Sequence, residues 1–275
     1  MSDWNKSPQE TLSFIKHHVE MGITTVDHAH VYGQPPAESL FGKALKLESS
    51  VRDSIEIVTK AGINVAEGDR ITHYDSGKKA ICSSVDTSLS RLGTDYIDVL
   101  LIHRPDYLMD ADEIAEAFST LKSQGKVKYL GVSNFTPTQF SLLQSRLDEP
   151  LVTNQIEINP LNLTALDDGT LDDLQQRRVL PMAWSSLAGG QLFTGDSERI
   201  QRIRREIVKL QDELGTENAD QIVYAWVLQL PSQPVVLLGT GNTDRIDSAL
   251  KSLDVRMNRE QWYRLWVASK GHNVP

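Results

Sequence analysis

Residues 23–33 read I-T-T-V-D-H-A-H-V-Y-G. An apolar and β-branched run, Ile23 to Val26, stops on the carboxylate Asp27. Five residues later comes the phenol of Tyr32, then Gly33. A buried strand ending this way places two titratable groups at one mouth of a sheet. The rest of the chain decides what kind of sheet that is.

Upstream, Ser7-Pro8-Gln9-Glu10 opens a helix as a capping box with proline in the first turn. Leu12, Ile15 and Val19 give it an apolar stripe, and Gly22 ends it. Downstream, short apolar runs alternate with helical patterns. Strands are expected at 55–58 (ending in Thr59-Lys60), 97–102 (ending in His103), 129–132 (ending in Ser133-Asn134), 152–158, 179–184 and 235–238. The helices between them are marked by Leu40 to Leu45, Ile81 to Leu92, Ile114 to Leu121, Phe140 to Leu147, the region of Leu171 and Leu174, 197–213, 219–230, 243–251 and 259–269. Thr136-Pro137-Thr138-Gln139 is a second capping box.

Strands this short and apolar, joined by helices, make a parallel α/β sheet. Seven strands over about 270 residues, with no linker, suggest closure as one (β/α)8 TIM barrel spanning 1–275. A doubly wound sheet would need a glycine-rich phosphate turn after its first strand. The nearest stretch, Gly239-Thr240-Gly241-Asn242-Thr243-Asp244, follows the last strand and has Asp244 where the third glycine belongs.

Apolar residues are 40% of the 275 and charged residues 24%, enough for a large core. A net charge of −9 is the wrong sign for a nucleic-acid or membrane-surface binder. The single cysteine, Cys82, excludes an internal disulfide and is expected to be a small buried residue on a helix. No run approaches 18 apolar residues. A cytoplasmic protein acting on small molecules is expected.

In a barrel the carboxyl ends of the strands form the active face. Here they offer Asp27, Lys60, His103, Ser133-Asn134, Gln155, Trp184 and Gly239-Thr240, with Tyr32 on the loop after Asp27. Four of these make a proton-handling set. An ammonium at Lys60 favours proton loss from a neighbouring phenol. Asp27 would hold Lys60 in place, and His103 would orient a carbonyl oxygen beside Tyr32. Such a group suits general acid catalysis on a carbonyl.

With these residues in order, the chain resembles an aldo-keto reductase from about residue 7 to 270. The family's Asp, Tyr, Lys and His tetrad is matched by Asp27, Tyr32, Lys60 in I-V-T-K and His103 in L-L-I-H-R-P-D. Its G-V-S-N-F signature is matched by Gly131–Phe135. The resemblance implies reduction of aldehydes or ketones with NADPH, or alternatively NADH, Tyr32 donating the proton. It implies that Ser133, Asn134 and Gln155 hold the carboxamide and that Trp184 stacks on the nicotinamide. It places Ser185, Leu187, Gly189 and Leu192 near the pyrophosphate, and Gly239, Thr240 and Arg245 toward the adenosine 2′-phosphate. No metal site is implied.

The chain also departs from the family pattern. Lys-Ser after the last strand is replaced by Gly239-Thr240, and the Glu-Asn pair after the arginine by Ser248-Ala249. Preference for NADPH then rests mainly on Arg245. The family begins with a hairpin and a first strand before the first helix, whereas here a helix starts near Ser7. Residues 1–6 are too few and too polar to supply either. The N-terminal hairpin and first strand are therefore expected to be missing, leaving a sheet edge unpaired.

Two rival readings come with the motifs. His28-Ala29-His30 has the H-x-H spacing of metal-dependent hydrolases on this barrel. Those need further histidines at later strand ends, and after His103 the next is His272. The other rival is a regulatory subunit that holds a nicotinamide nucleotide as a redox sensor, and the intact tetrad argues against it.

Overall fold

A computed structural model of the chain describes residues 6–275. The expectation of a missing hairpin and strand therefore concerns a segment, residues 1–5, that lies outside the described residues. The chain divides into two compact units, one up to Asn154 and one from Gln155 on.

The first unit opens with helix α1 (Pro8–Glu20), whose capping box is complete: Glu10 N–H donates to Ser7 Oγ and Ser7 N–H to Glu10 Oε2. Strand β1 (Thr25–Asp27) follows. It starts later than the apolar run suggests because the Ile23 N–H still closes the helix, donating to His18 O. Then come helix α2 (Ala37–Leu45), strand β2 (Glu56–Ala61), two two-residue strands β3 (Ile63–Asn64) and β4 (His73–Tyr74), helix α3 (Lys78–Leu92), strand β5 (Ile97–Ile102), helix α4 (Ala111–Ser123), strand β6 (Val127–Ser133) and helix α5 (Pro137–Gln144).

Strands β1, β2, β5 and β6 pair in that order, all parallel. Strand β2 runs further than the sequence suggests, because Lys60 and Ala61 pair with Leu101 and Ile102. Between this sheet and α1–α2 lies a core of Leu12, Ile15, Phe41, Ala44, Leu45, Ile55, Ile57 and Leu92. Gly42 matters here. A Cβ on it would stand 2.1 Å from Arg91 O, so α2 and α3 meet backbone to backbone.

The other end of this sheet is tied by charge. Asp98 accepts from Arg52 Nη2 at 2.7 Å, from the Ile57 N–H at 2.9 Å and from Lys128 Nζ at 3.0 Å. Burial alone would raise the Asp98 carboxyl. The Ile57, Lys128 and Arg52 bonds outweigh it and hold the group below its ordinary range. This cluster sits at the start of β5, the opposite end from His103, and reads as stability.

In the second unit β7 (Asn154–Glu157), β8 (Met182–Trp184) and β9 (Val235–Val236) pair in parallel, with Gln155 opposite Met182 and Met182 opposite Val235. Strand β8 starts at Met182 and not at Val179, whose N–H closes the preceding helix on Leu174 O. Around these strands run α6 (Thr164–Asp167), α7 (Thr170–Arg177), α8 (Gln191–Thr194), α9 (Glu198–Leu214), α10 (Ala219–Leu228), α11 (Thr243–Leu250) and α12 (Arg259–Lys270). Ile200, Ile203, Ile207 and Leu210 form the buried stripe of α9. Trp226 and Trp262 stack at 4.9 Å and 11°, each indole N–H donating to the other's carbonyl. That reciprocal pair clasps α10 to α12.

Among the described residues, no helix is long and apolar enough to cross a membrane. Cys82 lies on α3 as expected but is only half-buried, a correction to the reading of it as core.

Candidate active site

The end of β1 lies beside the middle of β2, Asp27 pairing with Val58 two residues before Lys60. This brings the Lys60 side chain, fully shielded from solvent, under the loop that follows β1. Its ammonium donates to Asp27 Oδ2 at 2.7 Å, to His28 O at 2.8 Å and to Tyr32 Oη at 3.3 Å. Three contacts use the three N–H donors an ammonium has. Tyr32 is 39% exposed, so its hydroxyl is held from below by a buried cation while the ring opens to solvent. On its other side stands His103, Nε2 to Oη 3.5 Å, the rings edge-on at 5.6 Å. The four residues read from the sequence as one set are thus brought together within the first unit.

His103 follows β5 directly, and its N–H extends the ladder to Ala61 O. Its ring is buried, and Nδ1 has no hydrogen-bond partner. Burial first, then the positive charges of Lys60, Arg104 and His30, push its basicity down to about 3. The ring is therefore neutral at physiological pH. It can share a hydrogen bond with an oxygen but cannot serve as the acid.

The two histidines of H-A-H do not face one ion. The His28 ring is buried edge-on against Phe41 at 4.5 Å, with Nε2 unpartnered. Burial and the Lys60 charge push it down to about 3. Its carbonyl, not its ring, serves the site by holding Lys60. Both ring nitrogens of His30 are engaged by backbone carbonyls. Among the described residues, no group of three or more His, Cys, Asp or Glu is placed to hold a metal ion. The sequence shows the spacing of H-A-H but not which way each ring turns, so the His28 carbonyl and the His30 ring went unread there.

Ser133 ends β6, buried. Asn134 follows at φ 61°, and its side-chain amide donates to Ser133 Oγ at 2.8 Å and to His103 O at 3.4 Å. This ties the Ser133-Asn134 turn to the histidine. The glycine of G-V-S-N-F has a packing reason: a Cβ on Gly131 would meet Leu101 Cδ2 at 2.7 Å and Thr153 O at 2.9 Å. Above these strand ends, the 62–77 and 104–110 loops are joined through Asp106. Its Oδ2 accepts from the N–H and the hydroxyl of Ser76, both at 3.1 Å. Tyr107, Leu108 and Ile71 are left largely exposed on these loops.

In the second unit Gln155 is buried on β7 and Trp184 ends β8 half-buried. The backbone then turns left-handed at four of the next six residues: Ser185 (φ 55°), Ala188 (φ 52°), Gly189 (φ 61°) and Gly190 (φ 86°). The Ser186 hydroxyl within this stretch is buried without a hydrogen-bond partner. Leu187 is half-buried and Leu192 fully buried. Beyond β9, a Cβ on Gly239 would meet nothing within 4 Å. Thr240 Oγ1 accepts from the Asn242 N–H, and Asn242 caps α11 by accepting from the Arg245 N–H. Arg245 itself is exposed in the first turn of that helix.

The model of the Aldo/keto reductase family matches residues 1–268. The chain is 50% identical over 277 residues to oxidoreductase YdhF of Escherichia coli (strain K12), covering all of this chain and 92% of that protein. It is 44% identical over 276 residues to a 6-dehydroglucose reductase of Agrobacterium fabrum (strain C58 / ATCC 33970), covering 99% and 92%. The crystal structure of the thermostable aldo-keto reductase Tm1743 with the inhibitor epalrestat superposes with a TM-score of 0.79. That match has 27% identity and covers 95% of this chain and 88% of that one.

Proposed function

We propose, since the chain belongs to the aldo-keto reductase family, that it reduces aldehydes or ketones to alcohols with a nicotinamide nucleotide, Tyr32 supplying the proton. Membership and the oxidoreductase relatives support carbonyl reduction in general. The single observation that carries the finer reading is the buried Lys60 ammonium in contact with both Asp27 and Tyr32.

Each unit, taken by itself, carries groups suited to part of a nucleotide. The stretch 185–190 turns through left-handed backbone at Ser185, Ala188, Gly189 and Gly190, and the partnerless Ser186 hydroxyl within it is a donor that an anion could take up. Ser185, Leu187, Gly189 and Leu192 are the candidates for the pyrophosphate, and Ser133, Asn134 and Gln155 for the carboxamide. Trp184 offers a flat face for stacking. Gly239, Thr240 and Arg245 would take the adenosine phosphate, and the guanidinium of Arg245 favours NADPH over NADH. Bound there, the nicotinamide supplies the hydride.

The chain's own residues do the rest. A carbonyl oxygen set between Tyr32 Oη and the neutral His103 ring receives one hydrogen bond from each. As negative charge grows on that oxygen, Tyr32 gives up its proton, and the phenolate left behind is stabilised by Lys60. Asp27 and the His28 carbonyl keep the ammonium aimed at Tyr32 throughout. Apolar loop residues such as Tyr107 and Leu108 would meet the substrate's remainder, and the kinship with a 6-dehydroglucose reductase puts that oxidised sugar into the first substrate panel.

Tyr32→Phe tests the reading. Nucleotide binding, followed by fluorescence, should persist while reduction of a panel of aldehydes and ketones falls about 10²–10⁴-fold. Unchanged turnover would refute Tyr32 as the donor.

A further inference from the structure

His30 Nδ1 lies 2.7 Å from Lys60 O, and His30 Nε2 lies 2.7 Å from Ile63 O. A carbonyl oxygen only accepts hydrogen bonds. A neutral imidazole has one N–H and one bare lone pair, so it can satisfy one of these contacts and must set its lone pair against the other oxygen. Only the imidazolium, with a proton on each nitrogen, completes both.

The two carbonyls are not arbitrary. In the parallel ladder the His28 N–H donates to Val58 O. The next acceptor on that edge of β2, two residues along, is Lys60 O. By then β1 has ended, and the His30 ring takes the place of the missing ladder donor. Between Lys60 and Ile63 the chain bends at Gly62, φ 102°, where β2 leaves the sheet and the 62–77 segment begins. The His30 ring bridges that bend. Its own carbonyl is held in turn by Arg91 Nη1 at 2.8 Å.

We propose that His30 is a doubly protonated staple, a positioning residue that fixes the β3–β4 hairpin to the end of β2 and so to Lys60. The charged groups around it are Lys60 on β2 and Arg91 on α3 with its partner Glu38 on α2 at 3.6 Å, and the neutral His103 ring follows β5. The staple itself does not rest on the carbonyl-reductase reading.

Two measurements on the full chain without substrate test it. Nitrogen-15 NMR of the histidine rings, with His30 assigned by substitution, should show both His30 nitrogens protonated at neutral pH. His30→Gln offers a single donor end. It should speed amide exchange in 63–75 on the order of tenfold, as expected for losing a charge-assisted bond, with exchange in α4 and α5 unchanged. A neutral His30 ring overturns the proposal, and so does hairpin exchange in His30→Gln equal to that of the natural chain. Should the variant not fold, the ring spectrum of the unaltered chain still decides. If both tests succeed while Tyr32→Phe keeps full turnover, the staple stands and the reductase mechanism falls.

Discussion

Lys60 Nζ lies 3.3 Å from Tyr32 Oη, and the lysine reaches it with no solvent contact of its own. A buried ammonium needs partners for all its protons, and here two of the three are not the phenol: the Asp27 carboxylate and the His28 carbonyl. The ammonium is therefore fixed before any substrate arrives. On the mechanism proposed above, substrate binding would have only to place an oxygen, not to assemble the acid.

Nucleotide preference should follow Arg245. Its side chain is exposed at the start of α11 and is the main cation proposed for the 2′-phosphate. Arg245→Ala should weaken NADPH binding about tenfold or more, the cost of losing a charge-assisted bond, and leave NADH binding unchanged. Titrating both nucleotides by tryptophan fluorescence checks this, and equal weakening of the two would rule out the phosphate contact.

Acid should destabilise the fold through His28 and His103. Burial, the leading cause in both, lowers them from 6.5 to about 3. The unfolded chain takes up these protons as the pH drops below 6.5, while the folded chain resists until about 3. Their contribution is thus complete above that window and is lost as pH falls through it. The slope is about 1.4 kcal/mol per pH unit for each histidine. His28→Leu should flatten urea-derived stability against pH by up to one such increment. An unaltered slope would mean that His28 does not titrate on unfolding.

Gly42→Ala should destabilise the chain by about 3 kcal/mol, the upper end for overpacking, because the clash is with rigid backbone at Arg91 and Leu92. Thermal or urea denaturation reads it directly, and a loss under about 1 kcal/mol would show that the helices can part cheaply.

Much of this was legible in the chain because the signals were local. The run at 97–102 is continuous and apolar, and it matches β5 residue for residue. The capping boxes at Ser7 and Thr136 form as their spacing implies. Asp27, Lys60 and His103 end, or nearly end, three adjacent strands, so strand counting alone brought them together. What stayed hidden depends on contacts between distant segments. The β3–β4 strands have two residues each, too short for any periodicity to register. Asp98 inside an apolar strand gave no sign that Arg52 and Lys128 converge on it. His30 looked like half of a metal motif, and only its two carbonyl neighbours tell otherwise.

The contact at Gly42 also bears on movement. Where two helices meet through side chains, small rotamer changes let one slide on the other. At Gly42 no side chain intervenes, and there is no room for one unless α2 and α3 part. The loop bearing Tyr32 feeds directly into α2, and Tyr32 O accepts from the Ala37 N–H that begins it. The residue proposed as proton donor therefore sits on a loop whose exit is hydrogen-bonded to the start of a helix packed backbone to backbone on its neighbour.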